Sequence, residues 1–374
     1  MKTAAAVAVG LALASCGDNT NGPSGDMGGT TTGSGATSGP GTGATGAGGA
    51  STTGATTGNS GSTTGGDSSG GAGPGAGSGV GGSPTTTTTG AGGAPVMPGQ
   101  TLCGDVQLGT PMNIAAGTTV AICAGATVTA ASRASFVVSG TLLVQGTMAA
   151  PVKMAGAQHT PGFWTGIALA AGGKIVATFA EIHDAATGVD ARAGSTYDID
   201  HILIDNTSLG LALAADGTVS HGTIHGLSMN QQGPLITVTA GAPHVVDTLV
   251  DKGYFGAVDS VIVNGPTTAP VFDHMEVADT HCAFHFNSGA GVTISHSYVH
   301  HNSYGLMVGS STGTQILHNN FQDNSINVGA CSVGISGSLN ENYFAGAPTD
   351  SSCVFLTVSA SAPAAYTSDV GPRP

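Results

Sequence analysis

The sequence predicts an all-β fold, a right-handed parallel β-helix solenoid of about ten to twelve coils, and three observations predict it. The apolar residues Ile182, Ile204, Ile224, Val250, Val277, Val299, Phe321 and Phe344 recur with gaps of 22, 20, 26, 27, 22, 22 and 23. Six places after most of them stands a small or turn-forming residue: Gly188, Gly210, Asn230, Gly256, Ala283, Gly305 and Asn327. From Leu102 onward, short runs rich in Val, Ile, Thr and Phe alternate with Gly, Asn and Ser, and no longer window carries a helical stripe. A fixed period in the twenties with one recurring apolar slot marks a solenoid, whose coils complete their core only against their neighbours. A coil of this length accommodates three short strands, stacked in parallel about 4.8 Å from the next coil.

In chain order, residues 1–15 read as a lipoprotein signal peptide. Met1 and Lys2 supply a short positive region, and Thr3 to Leu13 form an apolar run too short for a permanent span. Leu13-Ala14-Ser15-Cys16 resembles the bacterial lipobox. That resemblance implies a lipid on Cys16 and a membrane-anchored lipoprotein of the cell envelope, expected at the outer membrane. Residues 16–98 collapse into Gly, Thr, Ser and Ala, as in Thr85 to Thr89. A segment with so little apolar bulk cannot offset its chain entropy and is expected to be a disordered tether. As a Gly/Ser-type coil it would span about 50 Å.

Residues 99–374 form the expected β-helix domain. Val292 to Leu306 (VTISHSYVHHNSYGL) and Gln315 to Asn324 (QILHNNFQDN) resemble the repeat of the right-handed β-helix (pectin-lyase-like) superfamily. Gly162-Phe163-Trp164-Thr165-Gly166-Ile167 resembles a coil element of secreted bacterial β-helix lipoproteins. The likeness runs over roughly residues 104 to 350. It implies the fold and leaves activity open, because the superfold hosts lyases, hydrolases, epimerases and non-catalytic surface proteins.

Six cysteines are present. Cys103 and Cys123 lie 20 apart, and Cys331 and Cys353 lie 22 apart. Each spacing is about one coil, which brings the pair within disulfide reach on adjacent coils. An exported chain allows oxidation, and stapled end coils protect exposed strand edges. Cys282 is expected to be a small buried apolar side chain.

The chain holds only seven Lys plus Arg and carries a formal net charge of -14. It therefore lacks the basic footprint that nucleic acid needs, and nucleic acid is excluded as a partner. Registering the coils on the apolar slot exposes columns. Three places before the slot stand Phe179, His201, His221, Asp247, His274, His296, His318 and Glu341; one place after it stand His183, Asp205, His225, Asp251, His300 and Gln322.

Three functional readings follow. Imidazoles and carboxylates stacked at this spacing suit Zn²⁺ or Cu²⁺, with His274, His296, His300 and His318 as candidate ligands and Glu276 or Asp279 as carboxylate help. The competing account is a solvated polar ladder on a coil corner. A Ca²⁺-dependent polysaccharide lyase would draw on Asp247, Asp251, Lys252 and Asp279, with Lys252 as base. The hydrolase branch's Asp-Asp, Gly-His-Gly and Arg-Ile-Lys elements are missing, as is the Asp-Pro-His-Asp of the uronan epimerases. A third reading is a non-catalytic structural, adhesive or glycan-contacting surface, with Tyr298 and Tyr343, which share a column, as sugar-stacking candidates. Trp164, Tyr197, Tyr254 and Tyr304 are further scattered aromatics that could stack on neutral sugar rings. The sequence favours the non-catalytic envelope scaffold, in contact with a glycan or a surface protein.

Overall fold

The computed structural model describes residues 99–332, 335–359 and 369–374. The signal peptide, Cys16 and the tether read from the sequence lie outside the described residues. The described chain winds into a parallel β-helix of about 12 turns, with a right-handed sense, as crossovers between parallel strands almost always take. One 3₁₀ turn, Ser228–Asn230, is the only helical element among the described residues.

Each coil contributes a strand to each of three faces. In one coil these are Val271–Asp273, Glu276–Ala278 and Cys282–Ala290; in the next, Thr293–Ser295, Tyr298–His300 and Tyr304–Thr312. Every face pairs in parallel with the coil before and after it. The apolar slot is a register column: Ile182 pairs with Ile204, Ile204 with Ile224, and so on through Val250, Val277, Val299, Phe321 and Phe344. The column also continues upstream through Met154, Val128 and Val106, which the sequence reading had not placed in it. These side chains fill the bore of the helix. Phe321 and Phe344 stack there with centroids 5.1 Å apart.

Two corners flank the second face, and each turns through one residue in the left-handed region. At the first corner the turning residues are Phe179, His201, His221, Asp247, His274, His296, His318 and Glu341, with φ between 45° and 56°. At the second they are Asp184, Asn206, Lys252, Asp279, His301 and Asp323. Asn, Asp and His are several-fold enriched in that region. The histidine column is thus first of all a backbone requirement.

Inside the turns run ladders of buried amides. The Asn319 side chain accepts from the Ser297 N–H and donates to the Ile294 carbonyl; Asn342 repeats this one coil on, towards the Asn319 N–H and the Ile316 carbonyl. Asn302 and Asn324 form the equivalent pair at the second corner. Each ladder satisfies backbone groups that the bend takes out of strand pairing.

The two disulfides form as the spacing predicts, Cys103–Cys123 and Cys331–Cys353, with Cα atoms 5.0 Å and 4.8 Å apart. Two disulfides fit an exported protein, and no described helix is long and apolar enough to cross a membrane. The segment around Trp164 is structural. Trp164 is fully buried and its indole N–H donates to the His183 carbonyl at 2.7 Å. Gly166 sits at φ 100°, where a Cβ would run into the Thr187 carbonyl oxygen. Tyr197 is likewise buried, its hydroxyl on the Ala215 carbonyl.

Candidate functional site

At the first corner His296 and His318 reach solvent while His274 and Asp247 are buried, and one carboxylate repeatedly serves two imidazoles. Asp273 accepts from Nδ1 of His274 at 2.9 Å and Nδ1 of His296 at 3.0 Å, while Ser295 donates to it at 2.6 Å. The two rings stack with centroids 4.7 Å apart, and His318 stacks on His296 at 5.2 Å. Three coils earlier the pattern recurs: Asp200 holds Nδ1 of His201 at 2.8 Å and of His221 at 2.7 Å, with rings 4.5 Å apart. Burial resists ionisation of Asp273. Donation by Ser295, His296 and His274 outweighs it and brings the carboxyl from the ordinary 3.8 down to about 2. The same balance, burial against donors from His221, Ser220 and His201, lowers Asp200.

The end of the chain lies along this corner. The Arg373 guanidinium clasps Asp247 through Nε at 2.7 Å and Nη2 at 2.8 Å, and its backbone N–H adds a third bond at 3.1 Å. The Gly371 N–H donates to the His296 carbonyl at 2.9 Å, and Asp369 approaches Nε2 of His274 at 3.6 Å. Asp247 is almost fully buried beneath this strap.

The metal set read from the sequence is thus partly assembled. His274, His296 and His318 share one stack, whereas His300 stands at the far end of the strand Tyr298–His300, stacked on Tyr298 at 4.0 Å and bonded to Glu276 at 3.1 Å. Asp273, absent from that set, is the group that binds the stack together. It follows the apolar Phe272 at the end of its strand, and its outward direction is legible only once the turn is known. The donor atoms of Asp273, His274 and His296 lie within 4.8 Å of one another, as do those of Asp200, His201 and His221.

The lyase set is divided. Asp247 turns the first corner under Arg373, and Lys252 and Asp279 turn the second. Asp251 closes the strand between them and bonds His225. Tyr298 and Tyr343 do share a column, but Asn320 of the intervening coil separates them.

A second cluster escaped the sequence reading. The coil from Val250 to Val277 is 27 residues long, and its extra loop carries Asp259. Asp259 accepts from Nδ1 of His281 at 3.0 Å and from Nδ1 of His285 at 2.6 Å. The Cys282 thiol lies 3.3 Å from the same nitrogen of His281 and 2.9 Å from the Met307 sulfur. Burial resists ionisation of Asp259, yet donation from His281 and His285 holds the carboxyl well below the usual range. Cys282 is buried as expected, but among polar donors and not in the apolar bore.

No family model and no curated protein matches the chain. Among solved structures, a periplasmic alginate epimerase AlgG aligns over 66% of this chain and 75% of its own at 9% identity, with a TM-score of 0.43. An alginate lyase from Paenibacillus sp. str. FPU-7 aligns over 63% of this chain and 92% of its own at 12% identity, with a TM-score of 0.22.

Proposed function

We propose that the chain is a non-catalytic scaffold of the cell envelope, tethered through residues 16–98 from a lipid on Cys16. Its first corner is the edge that meets a partner. The observation carrying this reading is the occupied state of the corner carboxylates. Asp200 and Asp273 each hold two imidazoles, and Asp247 holds a guanidinium. A carboxylate committed in this way is not available to abstract a proton or to neutralise a substrate through Ca²⁺. Lys252, the base that a lyase would need, turns the opposite corner from Asp247. With a net charge of -14, the partner fitting such a face is a neutral glycan or a basic protein surface.

The test is an activity panel. Purified protein with Ca²⁺ should release no unsaturated product from polyuronates or neutral glycans. Release of product that Lys252→Ala abolishes would establish a lyase instead. A second reading, uptake of Zn²⁺ or Cu²⁺ at Asp273, His274 and His296, is favoured by the convergence of their donor atoms within 4.8 Å. Calorimetry on the wild type and His296→Ala decides it, since equal heats in both would leave a hydrogen-bonded ladder. For the anchor, mass analysis of the mature N-terminus should find a lipid on Cys16.

A further inference from the structure

The Asp259 cluster departs from the corner pattern: Asp259 lies in an insertion, while Cys282 and His285 stand on a third-face strand in regular register. Asp259 comes from an insertion that lengthens its coil, and it reaches over the residues that open the next third-face strand. Neither His281, Cys282 nor His285 has a left-handed backbone, so no turn requires an imidazole there. Next to His285, on the adjacent coil, Met307 closes the side of the cluster.

The arrangement is not a nucleophilic triad. In such a relay the thiol and the carboxylate meet opposite nitrogens of one imidazole. Here Nδ1 of His281 faces both the Cys282 sulfur and Asp259, and the thiol is sealed from solvent. Three of the donors, from Asp259, Cys282 and His285, instead converge. Metal bonds of about 2.0–2.3 Å set tetrahedral ligand atoms roughly 3.3–3.8 Å apart. His281 and His285 meet different oxygens of Asp259, at hydrogen-bond separations of 3.0 Å and 2.6 Å, so a metal between Asp259 and His285 opens that pair by about 1 Å. The donor atoms of Asp259, Cys282 and His285 all lie within 4.8 Å of one another. The charges also match, because one thiolate and one carboxylate neutralise a dication while the neutral imidazole of His285 adds a third ligand.

We propose that Asp259, Cys282 and His285 bind Zn²⁺ as three protein ligands, with His281 hydrogen-bonded to Asp259 beside them and Met307 as the wall. On binding, Cys282 gives its proton to solvent, and His285 moves its Nδ1 proton to Nε2 so that Nδ1 ligates. The site pins the inserted loop to the third face. It is separate from the first-corner histidines and needs none of them.

The test uses the full chain, treated with chelator and equilibrated with one equivalent of Co²⁺ or Zn²⁺. Co²⁺ should give a thiolate-to-metal charge-transfer band, which no site of imidazoles and carboxylates alone can produce. Cys282→Ser should abolish that band and weaken zinc binding by at least about 100-fold, more than loss of an outer-shell partner does. A double variant, His274→Asn with His296→Asn, should keep both. X-ray absorption at the zinc edge of the wild-type chain should show one sulfur at about 2.3 Å among lighter ligands, and this decides the matter even if Cys282→Ser does not fold. A shell of nitrogen and oxygen only, a band unchanged by Cys282→Ser, no uptake, or uptake of Cu⁺ alone would each overturn the assignment.

Discussion

The first-corner stack and the Asp259 cluster use the same residue types, and they are there for different reasons. At the corner, His274, His296 and His318 all have φ near 50°, where the chain must turn and where His is among the side chains that tolerate it. Their pairing with Asp273 and Glu341 then follows from stacking one coil on the next. Such a column follows from repetition of the turn and needs no metal to explain it. The Asp259 cluster has no backbone cause and breaks the repeat that it sits in. A lapse in a periodic architecture is therefore a better pointer to a specific site than the periodic feature itself.

The largest expected effect separates two neighbours within one turn. Asn319 is buried and satisfies backbone groups of the preceding coil, whereas His318 projects to solvent. Asn319→Ala should lower the unfolding free energy by about 3 kcal/mol, because it strands the Ser297 N–H and the Ile294 carbonyl. His318→Val should lose about 1–2 kcal/mol, the penalty of a branched side chain in the left-handed region. His318→Asn should stay within about 0.5 kcal/mol, since Asn accepts that backbone. Urea denaturation of the three variants checks the order. A loss from His318→Asn equal to that from His318→Val would mean that the imidazole matters beyond the turn.

A smaller effect concerns acid. Asp273 ionises in the folded protein at about 2, against an ordinary 3.8. A carboxyl depressed on folding contributes stability above its unfolded pKa, and that contribution is lost as pH falls through the folded one. Stability should therefore decline between about pH 4 and pH 2, and Asp273→Asn should flatten the decline. Urea midpoints measured across that interval without added metal give the comparison.

Much of the fold was legible because a solenoid writes its geometry as spacing. The slot column from Ile182 to Phe344 and the cysteine pairs 20 and 22 apart needed only counting. Val106, Val128 and Met154, spaced 22 and 26 apart and 28 before Ile182, are hidden in the sequence because their coils hold much Ala and Gly. The histidine column was seen, but its cause was not, since φ is invisible in a residue type that also binds metals. In the sequence Asn319 and Asn342 look like any other asparagine between strands; only the stacked coils show that they point inward. Asp259 was lost where the 27-residue coil broke the register. Cys282 was read as apolar because no partner stood near it in the sequence except His281 and His285, which fell outside the aligned columns.

The most direct test of the contrast between the two clusters is thermal unfolding with and without Zn²⁺ at about 100 times its dissociation constant, where linkage is worth about 2.7 kcal/mol. The account predicts that zinc raises the midpoint by about 5–10 °C in the His274→Asn, His296→Asn double variant, as in the wild type, and does not move it in Cys282→Ser. A rise that persists in Cys282→Ser and vanishes in the double variant would contradict it, and would place the metal on the corner.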